Sequence, residues 1–144
     1  MIADRTYSRL LIGIDLIDIA PVQRMASRYG ERFLAMVYTP NERQYCRDHV
    51  TRMACIFAAK EAITKVLGVG LAYMARGGAE LYDIEIIGDA DDRMQITLSG
   101  VARSYAQALE IIEWSLSLAH SRTSVIAHVV ALCRTPAFAM SYQL

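Results

Sequence analysis

The run LLIGIDLIDI at residues 10–19 limits the folding choices of this chain more than any other segment. It is nearly continuous in apolar, largely β-branched residues, which is the pattern of a buried strand. Yet Asp15 sits in its middle. An ionised carboxylate inside a buried strand costs several kcal/mol unless something pairs with it, so the fold must bring a partner to Asp15. A nearby arginine, a backbone N–H or a divalent cation would each serve. Mg²⁺ is commonly held by one or two carboxylates together with phosphates and waters. The residues alone leave these alternatives open.

The other elements follow from local signals. Pro21 at a first helical position, followed by Val22, Met25 and Ala26, predicts a short helix that Gly30 ends. Residues 33–37 read as a further helical turn. Thr39-Pro40-Asn41-Glu42 is a capping box with proline at the first position, so a third helix should run to about Cys46. Apolar residues at helical spacing predict the longest helix from about Val50 to Leu67, with Gly68 where a C-cap glycine belongs. Residues 81–87 and 94–98 alternate as two antiparallel strands. Gly100 opens a helix to about Ile112. Residues 114–119 and 123–133 read as a closing hairpin turned at 120–122, with Pro136 ending the last strand.

Within FAAKEAITK, residues 57–65, the helical period places Phe57, Glu61, Lys65 and Gly68 along one face, with Lys60 about 100° round from Glu61. One reading is an i,i+4 ion pair between Glu61 and Lys65, worth roughly 0.2–0.5 kcal/mol. The other is a phosphate and metal corner, because Gly68-Val69-Gly70 follows Lys65 by one turn and offers backbone N–H groups beside a point charge.

Composition narrows the function classes. The 144 residues carry 15 basic and 15 acidic side chains, so bulk attraction to nucleic acid or an anionic membrane is excluded. No stretch of eighteen apolar residues exists, and the start MIADRTYSR lacks the apolar segment of a signal peptide; the expected location is the cytoplasm. Cys46, Cys55 and Cys133 have neither CxxC nor Cys/His spacing, which argues against a disulfide framework or a zinc site. With no repeat or linker, residues 1–144 read as one domain.

GID at 13–15, Ile17-Asp18, YGERF at 29–33, TPNE at 39–42, FAAKEAITKVLGVG at 57–70, YDIEI at 82–86 and LSLAHS at 116–121 together resemble the holo-[acyl-carrier-protein] synthases, the small AcpS-type 4'-phosphopantetheinyl transferases. The resemblance runs in order from about Leu11 to Ala131. It implies an α+β fold, an antiparallel sheet packed on one long helix and several short ones, assembled as a homotrimer with each site at a subunit boundary. It implies transfer of the 4'-phosphopantetheine moiety of coenzyme A to a serine of an apo carrier protein, with Mg²⁺ required and adenosine 3',5'-bisphosphate released. On this resemblance Asp15 and Glu61 hold the metal, Lys65, Gly68 and Gly70 lie near the coenzyme A phosphates, and Ser117 and His120 lie beside the nucleotide. The general base is open among Glu61, a metal-bound water and Lys60, the last needing a lowered pKa.

Four departures stand out: Pro21 and Ile56 replace arginines, Ser115 a histidine and Val69 a threonine. They bear on carrier choice and coenzyme A affinity, and none falls on Asp15, Glu61 or Lys65. Arg24 and Arg28 share a helix face, so an acidic helical carrier is expected to dock there, with Met25 and Phe33 as apolar contacts. The competing expectation is a binding protein that keeps the fold and grips a carrier or nucleotide without turning it over.

Overall fold

The computed structural model describes residues 8–69, 81–89, 91 and 93–134. Strand β1, Ser8–Asp18, pairs antiparallel with β5, Ser124–Arg134, whose other edge pairs with β4, Ile111–His120, giving the order β1-β5-β4. A separate hairpin joins β2, Ile84–Gly88, to β3, Met94–Leu98. Among the described residues, four helices come between β1 and the hairpin: α1 Ile19–Tyr29, α2 Glu31–Val37, α3 Pro40–Cys46 and α4 Val50–Val66. A 3₁₀ turn, Leu81–Asp83, precedes β2, and α5, Gly100–Ala108, follows β3.

Most expected boundaries hold within two residues; the exceptions are the start of β2, the end of α5 and the start of β4, which lies at Ile111 rather than residue 114. Residues 81–83 form the 3₁₀ turn rather than the start of a strand. The helix opened by Gly100 stops at Ala108, because β4 claims Ile111 for pairing with Cys133. Gly100 itself has φ +50°, and a Cβ there would lie 2.6 Å from an Asp83 carboxylate oxygen. That same oxygen accepts from the Val101 N–H at 3.0 Å, so glycine lets Asp83 cap the helix from a distance in sequence. The expected capping box at Thr39 is complete, with Thr39 Oγ1 accepting from the Glu42 N–H and Glu42 accepting from the Thr39 N–H.

Helix α4 lies across one face of the three-stranded sheet and is buried on nearly all sides. Small side chains make this possible: Ala54, Ala58, Ala59 and Ala62 of α4, and Ala127 and Ala131 of β5, are fully buried. The tightest approach is at Gly13 of β1, where a Cβ would stand 2.1 Å from the Ala62 carbonyl oxygen. Every other residue type is excluded there while β1 and α4 keep this spacing.

The opposite face of the sheet is open. Leu10, Ile12, Ile14 and Leu16 are 53–69% exposed and lie in register with Leu132, Val130, His128 and Ile126 of β5. The apolar run therefore splits by strand alternation, with Gly13 and Asp15 toward α4 and four large hydrophobes away from it.

At the centre of the fold, Lys60 and Glu42 form an ion pair at 2.6 Å with both side chains wholly buried. Lys60 Nζ also donates to the carbonyls of Val37, at 2.5 Å, and Leu81, at 2.9 Å. Glu42 accepts from the backbone N–H groups of Thr39 and Ile86, each at 2.8 Å. Burial pushes the Glu42 carboxyl up and the Lys60 ammonium down, and their mutual attraction opposes both. The pair ties together α2, α3, α4, the 3₁₀ turn and β2. Lys60→Met leaves Glu42 buried without its counter-charge, so it should cost about 3–5 kcal/mol, and Lys60→Met with Glu42→Leu should recover much of that loss. Urea unfolding of the three proteins checks this; a single variant as stable as wild type would overturn the assignment.

Candidate active site

Because Gly13 allows β1 to touch α4, Asp15 two residues on is delivered to the last turns of that helix. There Asp15 Oδ1 accepts from Lys65 Nζ at 2.8 Å, and Nζ also donates to the Ile14 carbonyl at 2.7 Å. The partner demanded by the strand carboxylate is thus a lysine, reached across from the helix rather than an arginine nearby. Lys65 does not pair with Glu61 along the helix.

Glu61 stands beside this pair and is 3% exposed, while the Asp15 side chain is 13% exposed and the Lys65 side chain 48%. Among the described residues, Asp15 Oδ2 and Glu61 Oε1 are buried without a hydrogen-bond partner. Two carboxylates against one ammonium leave the cluster short of positive charge. Burial, and then repulsion from Asp15, push the Glu61 carboxyl up to about 7, with Lys65 pulling the other way. Buried acceptors without donors are rare in proteins and carry a desolvation cost.

These features suit a hard divalent cation. Both donorless atoms are carboxylate oxygens, the ligand type Mg²⁺ prefers. No cluster of three or more His, Cys, Asp or Glu side chains is found among the described residues, so the chain offers a pair of protein ligands here rather than a closed cage. Mg²⁺ bound with substrate phosphates needs no more.

Other expected site residues are distributed differently. Lys60 points away into the core, where its ammonium is held by Glu42 and two carbonyls, so it is not available as a base. Gly68 follows α4 with φ +77°, its N–H bonded to the Lys65 carbonyl, and so lies next to Lys65 as expected. Gly70 lies outside the described residues. Ser117 pairs with His128 on the open face of the sheet, the side away from Asp15. His120 ends β4 and borders a different cavity, with Arg52 and Tyr45. Within one chain, neither Ser117 nor His120 joins the Asp15, Glu61 and Lys65 cluster.

On α1, Arg24, Met25 and Arg28 line one groove, and among the described residues neither arginine forms an ion pair. Phe33 is not part of that surface. It is 4% exposed and packs edge-on against Tyr38, with ring centroids 6.0 Å apart, because α2 turns it inward. The exposed aromatic beside the arginines is Tyr29, with the Arg28 guanidinium 5.3 Å from its ring centre. The i,i+4 spacing from Met25 could have found it.

The family model of the 4'-phosphopantetheinyl transferase superfamily, ACPS, matches residues 11–133. The chain is 42% identical over 129 residues to the holo-[acyl-carrier-protein] synthase of Chloroflexus aggregans, covering 83% of this chain and 92% of that protein. It is 40% identical over 120 residues to that of Solidesulfovibrio magneticus, covering 83% and 94%. Among solved structures it is similar to the Helicobacter pylori holo-[acyl-carrier-protein] synthase in complex with coenzyme A, with TM-score 0.74, 31% identity and coverage of 84% and 99%. With α4 and β4 wholly inside the matched residues, and β1 and β5 inside them but for their outer ends, the chain belongs to the 4'-phosphopantetheinyl transferase superfamily.

Proposed function

We infer that the chain transfers the 4'-phosphopantetheine moiety of coenzyme A to a serine hydroxyl of an apo acyl carrier protein, in a Mg²⁺-dependent reaction that releases adenosine 3',5'-bisphosphate. Family membership and the relatives above support the reaction. The observation that carries the site is the pair of buried, donorless carboxylate oxygens on Asp15 and Glu61, flanked by Lys65.

In this reading Asp15 and Glu61 hold Mg²⁺, which when bound offsets the charge of the coenzyme A pyrophosphate during displacement. Lys65 is anchored on the Ile14 carbonyl and Asp15 and keeps a partly exposed ammonium, so its remaining donor capacity is free for a phosphate oxygen. The serine oxygen forms a new bond to the phosphorus that bears the pantetheine arm. The bond from that phosphorus to the oxygen of the adenosine bisphosphate breaks, and the bisphosphate leaves with the electron pair. The serine proton is accepted at the site by Glu61 or by a water beside it, Lys60 being held in the core by Glu42. Positioning and electrostatics supply most of the acceleration in such transfers.

Arg24 and Arg28, with Met25 and Tyr29, form the surface that receives an acidic carrier. The open face of β1 and β5 packs against two further copies in a closed homotrimer, which covers Leu10, Ile12, Ile14 and Leu16. A neighbouring copy then supplies the His120 end of the site, which one chain leaves apart from Asp15. No helix among the described residues is long and apolar enough to cross a membrane, and the cytoplasm, where coenzyme A is plentiful, is the proposed location.

Incubation with coenzyme A, Mg²⁺ and a panel of apo carriers, followed by mass spectrometry of the carriers, should show the added phosphopantetheine. Asp15→Asn and Glu61→Gln should each lower the rate by at least about 100-fold with the fold retained by circular dichroism; near-wild-type turnover at saturating Mg²⁺ would refute the metal assignment. Arg24→Glu with Arg28→Glu should raise the carrier KM about 10-fold at low salt, the difference shrinking as salt screens the charges; an unchanged KM would place the dock elsewhere. Ile12→Arg should convert a trimer into a folded, inactive monomer in sedimentation. A wild-type monomer with full activity would overturn the shared site.

A further inference from the structure

Three ionisable groups share the site, and their charges do not balance. With both carboxylates ionised, Asp15 and Glu61 set two negative charges against the one positive charge of Lys65. Among the described residues no other ion pair reaches either carboxylate. Glu61 and Asp15 are largely shut off from solvent, so each added charge there is felt strongly.

The Lys65 ammonium is held in place. Its Nζ donates to Asp15 Oδ1 at 2.8 Å and to the Ile14 carbonyl at 2.7 Å, which leaves one N–H directed at neither acceptor and the ammonium half exposed. The donorless Oδ2 belongs to the same carboxylate, so a cation on Asp15 Oδ2 and Glu61 Oε1 must share Asp15 with the ammonium. Mg²⁺ taken up alone would turn a single net negative charge into a single net positive one in a poorly solvated site. If Lys65 stays, it repels the metal; if it swings out, it gives up its bond to Asp15. Either way Mg²⁺ binds more weakly than it would to the same carboxylates without the lysine.

A pyrophosphate changes the count. The two diester phosphates of coenzyme A add two negative charges, so Mg²⁺ and Lys65 together bring three positive charges to four negative ones and the single net negative charge returns. The remaining Lys65 N–H then also has an acceptor. We propose that Lys65 makes metal uptake conditional on the donor: its ammonium opposes Mg²⁺ on Asp15 and Glu61 until a diphosphate arrives, so Mg²⁺ and coenzyme A bind with positive coupling. This rests on the metal and coenzyme A reading above and adds the residue that orders their loading. By linkage each ligand tightens the other by the same factor.

The test is calorimetric titration with Mg²⁺ alone, without coenzyme A, in wild type, Lys65→Gln, Lys65→Met and Lys65→Arg, with folding checked by circular dichroism. Lys65→Gln and Lys65→Met should each tighten Mg²⁺ about 10-fold, the scale of one charge acting on a divalent cation through a partly aqueous site, whereas Lys65→Arg, which keeps the charge, should stay near wild type. Adding Asp15→Asn to Lys65→Gln should abolish the gain. The Kd of coenzyme A in wild type should fall about 10-fold between chelator and saturating Mg²⁺, and that factor should shrink in Lys65→Gln. Neutral variants that bind Mg²⁺ no more tightly than wild type would overturn the proposal. So would a gain that survives Asp15→Asn, or an equal gain in Lys65→Arg, which would mark lost contact geometry rather than lost charge. Tightened Mg²⁺ binding in the neutral variants of a protein whose wild type transfers nothing to any carrier would support the proposal and refute the transferase reading. A wild type that takes up no Mg²⁺ even with coenzyme A bound would overturn both the proposal and the metal assignment.

Discussion

The site depends on how closely β1 can approach α4. Gly13 lets the strand backbone rest against the carbonyl of Ala62, and a single methyl group would stand 2.1 Å from that oxygen. Pushing the strand outward to make room would draw Asp15 away from Lys65, whose ammonium bridges the Ile14 carbonyl and the Asp15 carboxylate. The alanines of α4 and β5 extend the same close packing along the helix. A glycine two residues before a carboxylate therefore sets the distance between the strand and the helix that share the site, and tight interiors transmit such a constraint directly.

Two lysines five residues apart on α4 have opposite tasks. Lys60 is wholly buried and discharges its ammonium into Glu42 and two backbone carbonyls, joining elements that are distant in sequence. Lys65 is half exposed and braces the carboxylate cluster while still facing solvent. Five residues amount to about 500° of helical rotation, so the two side chains leave on different sides. A single residue step, about 100°, separates Glu61 from Lys60 and puts a carboxylate oxygen without a donor where a cation fits.

The molecule also presents charge and apolar surface in separate places. The basic groove on α1 holds Arg24 and Arg28 away from carboxylates, whereas the open face of β1 and β5 is apolar in three of four successive register rows, His128 facing Ile14 in the other. The first suits a charged partner that comes and goes. The second suits permanent cover by copies of the same chain, because leaving so much apolar surface in water invites non-specific association.

Much of this was readable from the residues. The capping box at Thr39, the long helix ended near Gly68, the closing hairpin and the tension created by Asp15 in an apolar strand all rest on short-range rules of turn chemistry, periodicity and burial. The sequence by itself determined that Asp15 needed a partner and that Glu61 and Lys65 shared a helix face. Tertiary structure decided that Lys65 crosses to Asp15 instead of pairing along its own helix, that Lys60 is spent in the core on Glu42, that Phe33 is interior and Tyr29 exposed, and that Ser117 and His120 stand apart from the cluster. Those outcomes turn on which backbone carbonyls and carboxylates arrive from residues 18 to 51 positions away, such as Glu42 for Lys60 and Ile14 for Lys65. Helical spacing states which side chains share a face; only packing states what that face meets.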